Sequence, residues 1–187
     1  MGRHEVARPA VFLDRDGVIN RVIVRNGSPY APAHVDEFEL YEDVPNGCAQ
    51  LKAANYLLVV ITNQPDVGRG TQSRETVEAM NLKMQSALPL LDRVDVCYHG
   101  GEHHGQPCDC RKPRPGMILR AATELNIDLK RSYVIGDRWR DIDCAHAAGC
   151  RAIFIQRGYT ETLRNEPDFS VTSFNQAVDA VLHDAGF

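Results

Sequence analysis

The sequence predicts an α/β fold: a three-layer sandwich with helices on both faces of a doubly wound parallel sheet. Three observations carry that reading. Short apolar runs recur that are too brief for amphipathic helices and read as buried parallel strands. Segments with apolar residues three and four apart stand between them, as crossover helices do. Acidic or cationic clusters follow the strand ends, where α/β sheets bind their ligands.

The first strand is residues 10–13, followed at once by Asp14, and the second is residues 57–61, leading into Thr62. Residues 73–88 open on a candidate Ser cap and place Val77, Met80, Met84 and Leu88 on one face, the pattern of a surface helix. Residues 94–98 read as the third strand. Residues 115–126 have Pro near their start and Met117, Leu119, Ala121, Ala122 and Leu125 inside, a second helix of the same kind. Residues 133–135 form the fourth strand, residues 141–148 a helix stopped by Gly149, and residues 152–155 the fifth strand. Residues 20–41 and 100–115 fit the alternation poorly, which makes both candidate site loops. With no internal repeat and no linker, residues 1–187 read as one domain.

Composition narrows the function classes. With 43% of 187 residues hydrophobic, the chain can bury a full core, and disorder is excluded. The longest apolar run, residues 56–61, falls far short of the roughly 20 residues that cross a bilayer, so no membrane partner is expected. The apolar stretch 10–13 is too short for the core of a secretory signal, and a cytoplasmic chain is expected. A net charge of −4 argues against nucleic acid as a partner and for a few placed cations meeting any small anionic substrate. Nothing requires an oligomer, and a monomer is expected. Six cysteines in a reducing compartment are either buried small hydrophobes or metal ligands.

Four clusters carry chemistry. Asp14 and Asp16 stand two apart where the first strand ends; carboxylates this close repel unless a divalent cation or a raised pKa relieves them. One of the two can attack phosphorus while the other shuttles the leaving group's proton. A bare D-x-D is also compatible with a solvated turn. Thr62 and Asn63 follow the second strand and could hydrogen-bond a phosphoryl group, although a Thr at a strand end also has β propensity in its favour. Arg111-Lys112-Pro113 is a cationic cluster before a helix, and Asp137 and Asp141 follow the fourth strand, four apart, a spacing that helix N-termini also favour.

In order, D-x-D-G, T-N, R-K-P and G-D-x-x-x-D resemble the haloacid dehalogenase (HAD) superfamily of aspartate-nucleophile phosphotransferases, with its Rossmann-like fold, across residues 11–141. The resemblance implies Asp14 as nucleophile and Asp16 as general acid and base. Thr62 and Lys112 would hold the phosphoryl oxygens. Mg²⁺ would sit on Asp14, the backbone carbonyl of Asp16 and Asp137, with Asp141 in support. An acid at position 16 favours a phosphatase, since an alkoxide leaving group needs a proton.

Cys97-x-His99 and Cys108-x-Cys110 bracket a loop in the way a closed, structural Zn²⁺ site requires, with His103 and His104 as competitors for His99. Cys48, Cys144 and Cys150 are isolated and read as core thiols. Within the superfamily, C-x-H then C-x-C-R-K-P is similar to the subfamily acting on D-glycero-D-manno-heptose 1,7-bisphosphate and histidinol phosphate, in which the zinc loop is structural. No separate cap domain is expected. Arg111-Lys112-Pro113-Arg114-Pro115-Gly116-Met117 and Val67-Gly68-Arg69-Gly70 resemble the heptose branch, which implies that Arg111 meets a second phosphate and that the C7 phosphate is removed. The short zinc loop departs from that branch. Histidinol-phosphate phosphatase and, from another class, a non-catalytic zinc-binding interaction module are the alternatives.

Overall fold

The computed structural model describes residues 6–101, 103–105 and 108–186. Its main sheet is built from β1 (Ala10–Leu13), β4 (Leu57–Asn63), β5 (Arg93–Cys97), β6 (Tyr133–Gly136), β7 (Arg151–Ile155) and β8 (Phe169–Val171). The spatial order is β5-β4-β1-β6-β7-β8, and every pairing is parallel. From β1 the chain steps outward through β4 to β5, then returns to build the other half from β6. The strand order therefore reverses at the β1/β6 junction, the place where doubly wound sheets bind ligands.

Alternation along the strands builds two cores. Val11 and Leu13 of β1, with Leu58, Val60, Ile135 and Ile153, face a layer containing α1 (Val44–Ala53), α3 (Arg74–Ala87) and α6 (Phe174–Asp184). Ala10 and Phe12, with Val59, Ile61, Val134 and Ala152, face α4 (Gly116–Leu125) and α5 (Trp139–Ala148). Strands buried on both sides need no polar face, which is why they read as unbroken apolar runs. Cys48 lies in the first core and Cys144 and Cys150 in the second, as core thiols.

Element ends shift where local chemistry decides them. The Ser73 side chain accepts from the Thr76 N–H at 3.0 Å, so α3 starts one residue after its cap. Helix α5 begins at Trp139, two residues before the expected start, and ends at Gly149 in the left-handed region, as expected. The third expected strand is displaced by one residue to Arg93–Cys97, which leaves Tyr98 and His99 beyond its end. Residues 20–41 contain a hairpin, β2 (Ile23–Arg25) and β3 (Ser28–Tyr30), turned by Asn26-Gly27 with φ of 50° and 74°. Asn-Gly is the usual residue pair for such a turn, a signal that the expectation of an irregular loop over residues 20–41 passed over. Between β4 and α3 lies the single turn α2 (Pro65–Gly68). Its Gly68 sits so close to the next strand's loop that a Cβ would lie 2.4 Å from the Gly100 nitrogen.

Candidate active site

Three strand ends deliver the expected residues to one point. The Asp14 N–H donates to Ile135 O at 3.0 Å, tying β1 to β6, so Asp14 and Asp137 leave adjacent strands at the switch point. One carboxylate oxygen from each of Asp14, Asp137 and Asp141 lies within 4.8 Å of the others. Lys112 enters from the R-K-P loop, 2% exposed, and its ammonium is fully used: Asp14 Oδ1 at 2.9 Å, Asp141 Oδ1 at 2.7 Å and the Ile61 carbonyl at 2.8 Å.

Burial and crowding set the electrostatics. Burial pushes the Asp14 carboxyl up to about 6, against the pull of Lys112 and with help from the Asp141 charge. Asp137 is raised well above the carboxylate range, first by burial and then by Asp14 and Asp141. For Lys112, burial works to lower the pKa, but Asp14 and Asp141 outweigh it and the ammonium is held charged. Gly17, at φ +90°, is required by this crowding: a Cβ there would lie 1.8 Å from Asp137 Oδ2.

Asp16 turns away from these three acids. Its carboxylate accepts from Arg15 Nε at 3.2 Å and Nη2 at 3.0 Å, from Asn20 Nδ2 at 3.0 Å and from Gln64 Nε2 at 2.7 Å. Any contact between Asp16 and a metal is thus left to its backbone carbonyl, the atom the family resemblance points to. Gln64 Nε2 also donates to Thr62 Oγ1 at 2.9 Å, and Thr62 is buried, 1% exposed. Asn63 clamps the R-K-P loop, its Nδ2 donating to Lys112 O and its Oδ1 accepting from Lys112 N, both at 3.1 Å. Its amide therefore aligns Lys112 with the end of β4. Arg15, Asn20 and Gln64 were not singled out by the sequence reading. The middle residue of D-R-D was the available signal for Arg15.

The acid cluster fits a divalent cation. Asp137 is 2% exposed, and among the described residues neither of its carboxylate oxygens makes a well-formed hydrogen bond; the Tyr159 hydroxyl beside it offsets its burial only in part, an arrangement that a cation at this carboxylate would relieve. The second cluster fits zinc. Cys97 Sγ lies 3.3 Å from Cys110 Sγ and 3.9 Å from Cys108 Sγ, and His99 Nδ1 lies 3.5 and 3.3 Å from Cys97 and Cys110 Sγ. Tetrahedral zinc with sulfur ligands at about 2.3 Å places those sulfurs roughly 3.8 Å apart. The four donor atoms that come together are those of Cys97, His99, Cys108 and Cys110, which could hold a metal ion; among the described residues, His103 and His104 are outside this group. Residues 102, 106 and 107 of this loop lie outside the described residues.

Above the acids is a cavity of about 260 Å³, lined by Asp14, Asp16, Asn63, Lys112 and Asp137 on its floor and by Tyr30 and Ala31 from the hairpin segment. Its wall carries Arg69, Arg111 and Arg140, which it shares with a second cavity of about 420 Å³ over the zinc loop. Arg69 Nε donates to Gly100 O at 3.1 Å and Arg111 Nη1 to His99 O at 3.2 Å, so the zinc loop positions both. Burial, then the charges of Arg140 and Arg69, lower the Arg111 pKa. Three guanidiniums gathered at one cavity wall repel one another, a repulsion that a bound anion would relieve.

The HAD-hydrolase-like family profile matches residues 109–177. The D-glycero-beta-D-manno-heptose-1,7-bisphosphate 7-phosphatase of Haemophilus ducreyi is 34% identical to this chain, over 94% of it and 98% of the relative. The chain belongs to the HAD superfamily, in the family of these phosphatases. The 7-phosphatase of Vibrio cholerae is 40% identical over 77% of this chain and 78% of its own length. Among solved structures, D,D-heptose 1,7-bisphosphate phosphatase from B. bronchiseptica, complexed with magnesium and phosphate, superposes with a TM-score of 0.80 at 28% identity, covering 94% of this chain and 99% of that one. Family membership makes this HAD chain a phosphoric monoester hydrolase.

Proposed function

We propose that this chain removes the C7 phosphate of D-glycero-D-manno-heptose 1,7-bisphosphate through an aspartyl-phosphate on Asp14, in the synthesis of heptose precursors of cell-surface polysaccharide. The observation that carries the reading is the pairing of the Asp14–Lys112–Asp141 cluster with the Arg69–Arg111–Arg140 wall, one position for each phosphate. Histidinol phosphate has one phosphate and leaves that wall without a partner.

Lys112 offsets the Asp14 charge so that its carboxylate approaches an anionic phosphorus; to meet the phosphoryl oxygens beside Thr62, its ammonium would exchange one of its three present contacts for the substrate. Asp14 attacks phosphorus; as the bond to the sugar oxygen breaks, Asp16 gives that oxygen its proton and the alcohol leaves. Water then attacks the phosphorus of the aspartyl-phosphate, its proton returns to Asp16, and Asp14 is freed as inorganic phosphate departs. Asp14, Asp137 and the Asp16 carbonyl would hold Mg²⁺, supported by Asp141; when bound it supplies neutralisation of phosphoryl charge. Cys97, His99, Cys108 and Cys110 would hold structural Zn²⁺, fixing the loop that presents Arg111. A single domain acting as a monomer on a small sugar phosphate in the cytoplasm suits this reading. Among the described residues, no helix is long and apolar enough to cross a membrane.

The test is kcat/KM measured side by side on both heptose bisphosphate anomers, histidinol phosphate and fructose 1,6-bisphosphate. Heptose bisphosphate should lead. A lead for histidinol phosphate overturns the proposal.

A further inference from the structure

Arg15 lies between the nucleophile and Asp16 in sequence and is completely buried. A buried guanidinium is costly to desolvate, and only a full set of partners offsets that cost. Its partners are unusual in kind. Nε and Nη2 fork onto the two oxygens of Asp16, with Nη2 at 3.2 Å from Oδ1 and 3.0 Å from Oδ2. Nη1 donates at 2.9 Å to Oδ1 of Asn81, a polar residue on the otherwise apolar inner face of α3, itself 6% exposed. The guanidinium carbon sits 5.7 Å from the centroid of Phe38, which is 2% exposed and belongs to the segment between the hairpin and α1. Two elements remote from the catalytic loop thus converge on one side chain whose other end grips Asp16.

A device that only stabilised the core would be served better by an apolar residue of similar volume, without the burial cost. We propose that Arg15, set by Asn81 and Phe38, is the positioning residue that holds the Asp16 carboxyl at the cavity over the acids, where the leaving oxygen would stand. The proposal rests on the Asp16 role given above. In the step concerned, the P–O bond to the leaving group breaks and that oxygen takes the Asp16 proton; Arg15 acts only through the direction in which it holds that carboxyl. Arg15 itself exchanges no proton. The bidentate geometry matters, because a Lys ammonium carries the same charge without the fork that locks a planar carboxylate.

The experiment compares kcat/KM on two substrates that differ in their need for a proton. Heptose bisphosphate expels an alkoxide; 4-nitrophenyl phosphate expels a stable phenolate. Arg15→Lys and, independently, Asn81→Leu are measured beside Asp16→Asn, with the folded state of each checked by circular dichroism. A proton-transfer residue contributes about 10²–10⁴-fold, so Asp16→Asn should lose at least about a hundredfold more on heptose bisphosphate than on 4-nitrophenyl phosphate. Arg15→Lys and Asn81→Leu should show the same selectivity at about tenfold or more. Equal losses on both substrates, or no loss, in a folded variant overturn the positioning role. Asn81→Leu decides the question if Arg15→Lys does not fold, since it leaves the Arg15–Asp16 fork in place and removes only what sets it. Asp16→Asn without selectivity sinks the shuttle reading, and Arg15's role with it. Selectivity in Asp16→Asn alone sinks only Arg15's role.

Discussion

Replacing Lys112 by Met keeps an unbranched apolar stem and deletes one charge at the centre of the site. The ammonium makes three contacts of 2.7 to 2.9 Å and is 2% exposed, so solvent cannot substitute for it. Its loss leaves Asp14, Asp137 and Asp141 facing one another without a cation. Breaking a buried pair by removing one partner costs about 3 kcal/mol or more. For a domain of this size that corresponds to a fall in Tm of about 6–12 °C. Two conditions should shrink the loss. Mg²⁺ restores a positive charge between the acids. Acid supplies protons instead: Asp14 is raised to about 6 even with Lys112 present and rises further without it, so the folded state binds protons more tightly than the unfolded state. Stability of the variant therefore increases as pH falls from 8 towards 5. The assay is thermal denaturation followed by circular dichroism, with chelator at pH 8, with saturating Mg²⁺ at pH 8, and with chelator at pH 5, each against the unmodified protein. A Tm deficit that is the same in all three conditions would refute the account, since it would place the cost in packing and not in charge.

Three further outcomes follow from the same geometry. Mg²⁺ affinity, measured by calorimetry, should weaken at least about tenfold between pH 7 and pH 5, because a group titrating near 6 must release its proton to bind metal; a flat profile would place the cation elsewhere. After extensive dialysis the protein should retain close to one zinc per chain by elemental analysis, and Cys108→Ser should lose both zinc and thermal stability; full retention of both would remove the zinc site. Gly17→Ala should abolish Mg²⁺ binding while the fold persists, because its Cβ would occupy the position of Asp137 Oδ2; unchanged affinity would show that the loop shifts freely.

The periodicity of burial made much of the fold legible. Runs such as residues 57–61 have no polar face because both sides of their strands are covered, and that pattern is visible without coordinates. The hairpin, α1, β8 and α6 were not read out. Helix α1 carries Pro45 and Gly47, so its helical character comes from packing against Phe174 and Val178, and propensity contributes little: a Cβ on Gly47 would lie 2.6 Å from the Phe174 ring. Strand β8 is three residues long and takes its place by pairing with β7.

For the site, the candidates and their order along the chain were legible in the sequence alone: Asp14, Asp16, Lys112, Asp137 and Asp141 as a candidate phosphoryl-transfer set, and Cys97, His99, Cys108 and Cys110 as candidate soft metal donors. Tertiary structure decided their division of labour. Asp14 and Asp16, two apart in sequence, point into different environments, one against Lys112 and Asp141 and the other into the grip of Arg15, Asn20 and Gln64. Asn63 became a clamp on Lys112, and Arg69, Arg111 and Arg140 became one wall. Partners separated by tens of residues leave no local pattern, since their contact depends on strand order and register. That is why the sequence could name candidate residues and their order, while the direction of each side chain waited for the fold.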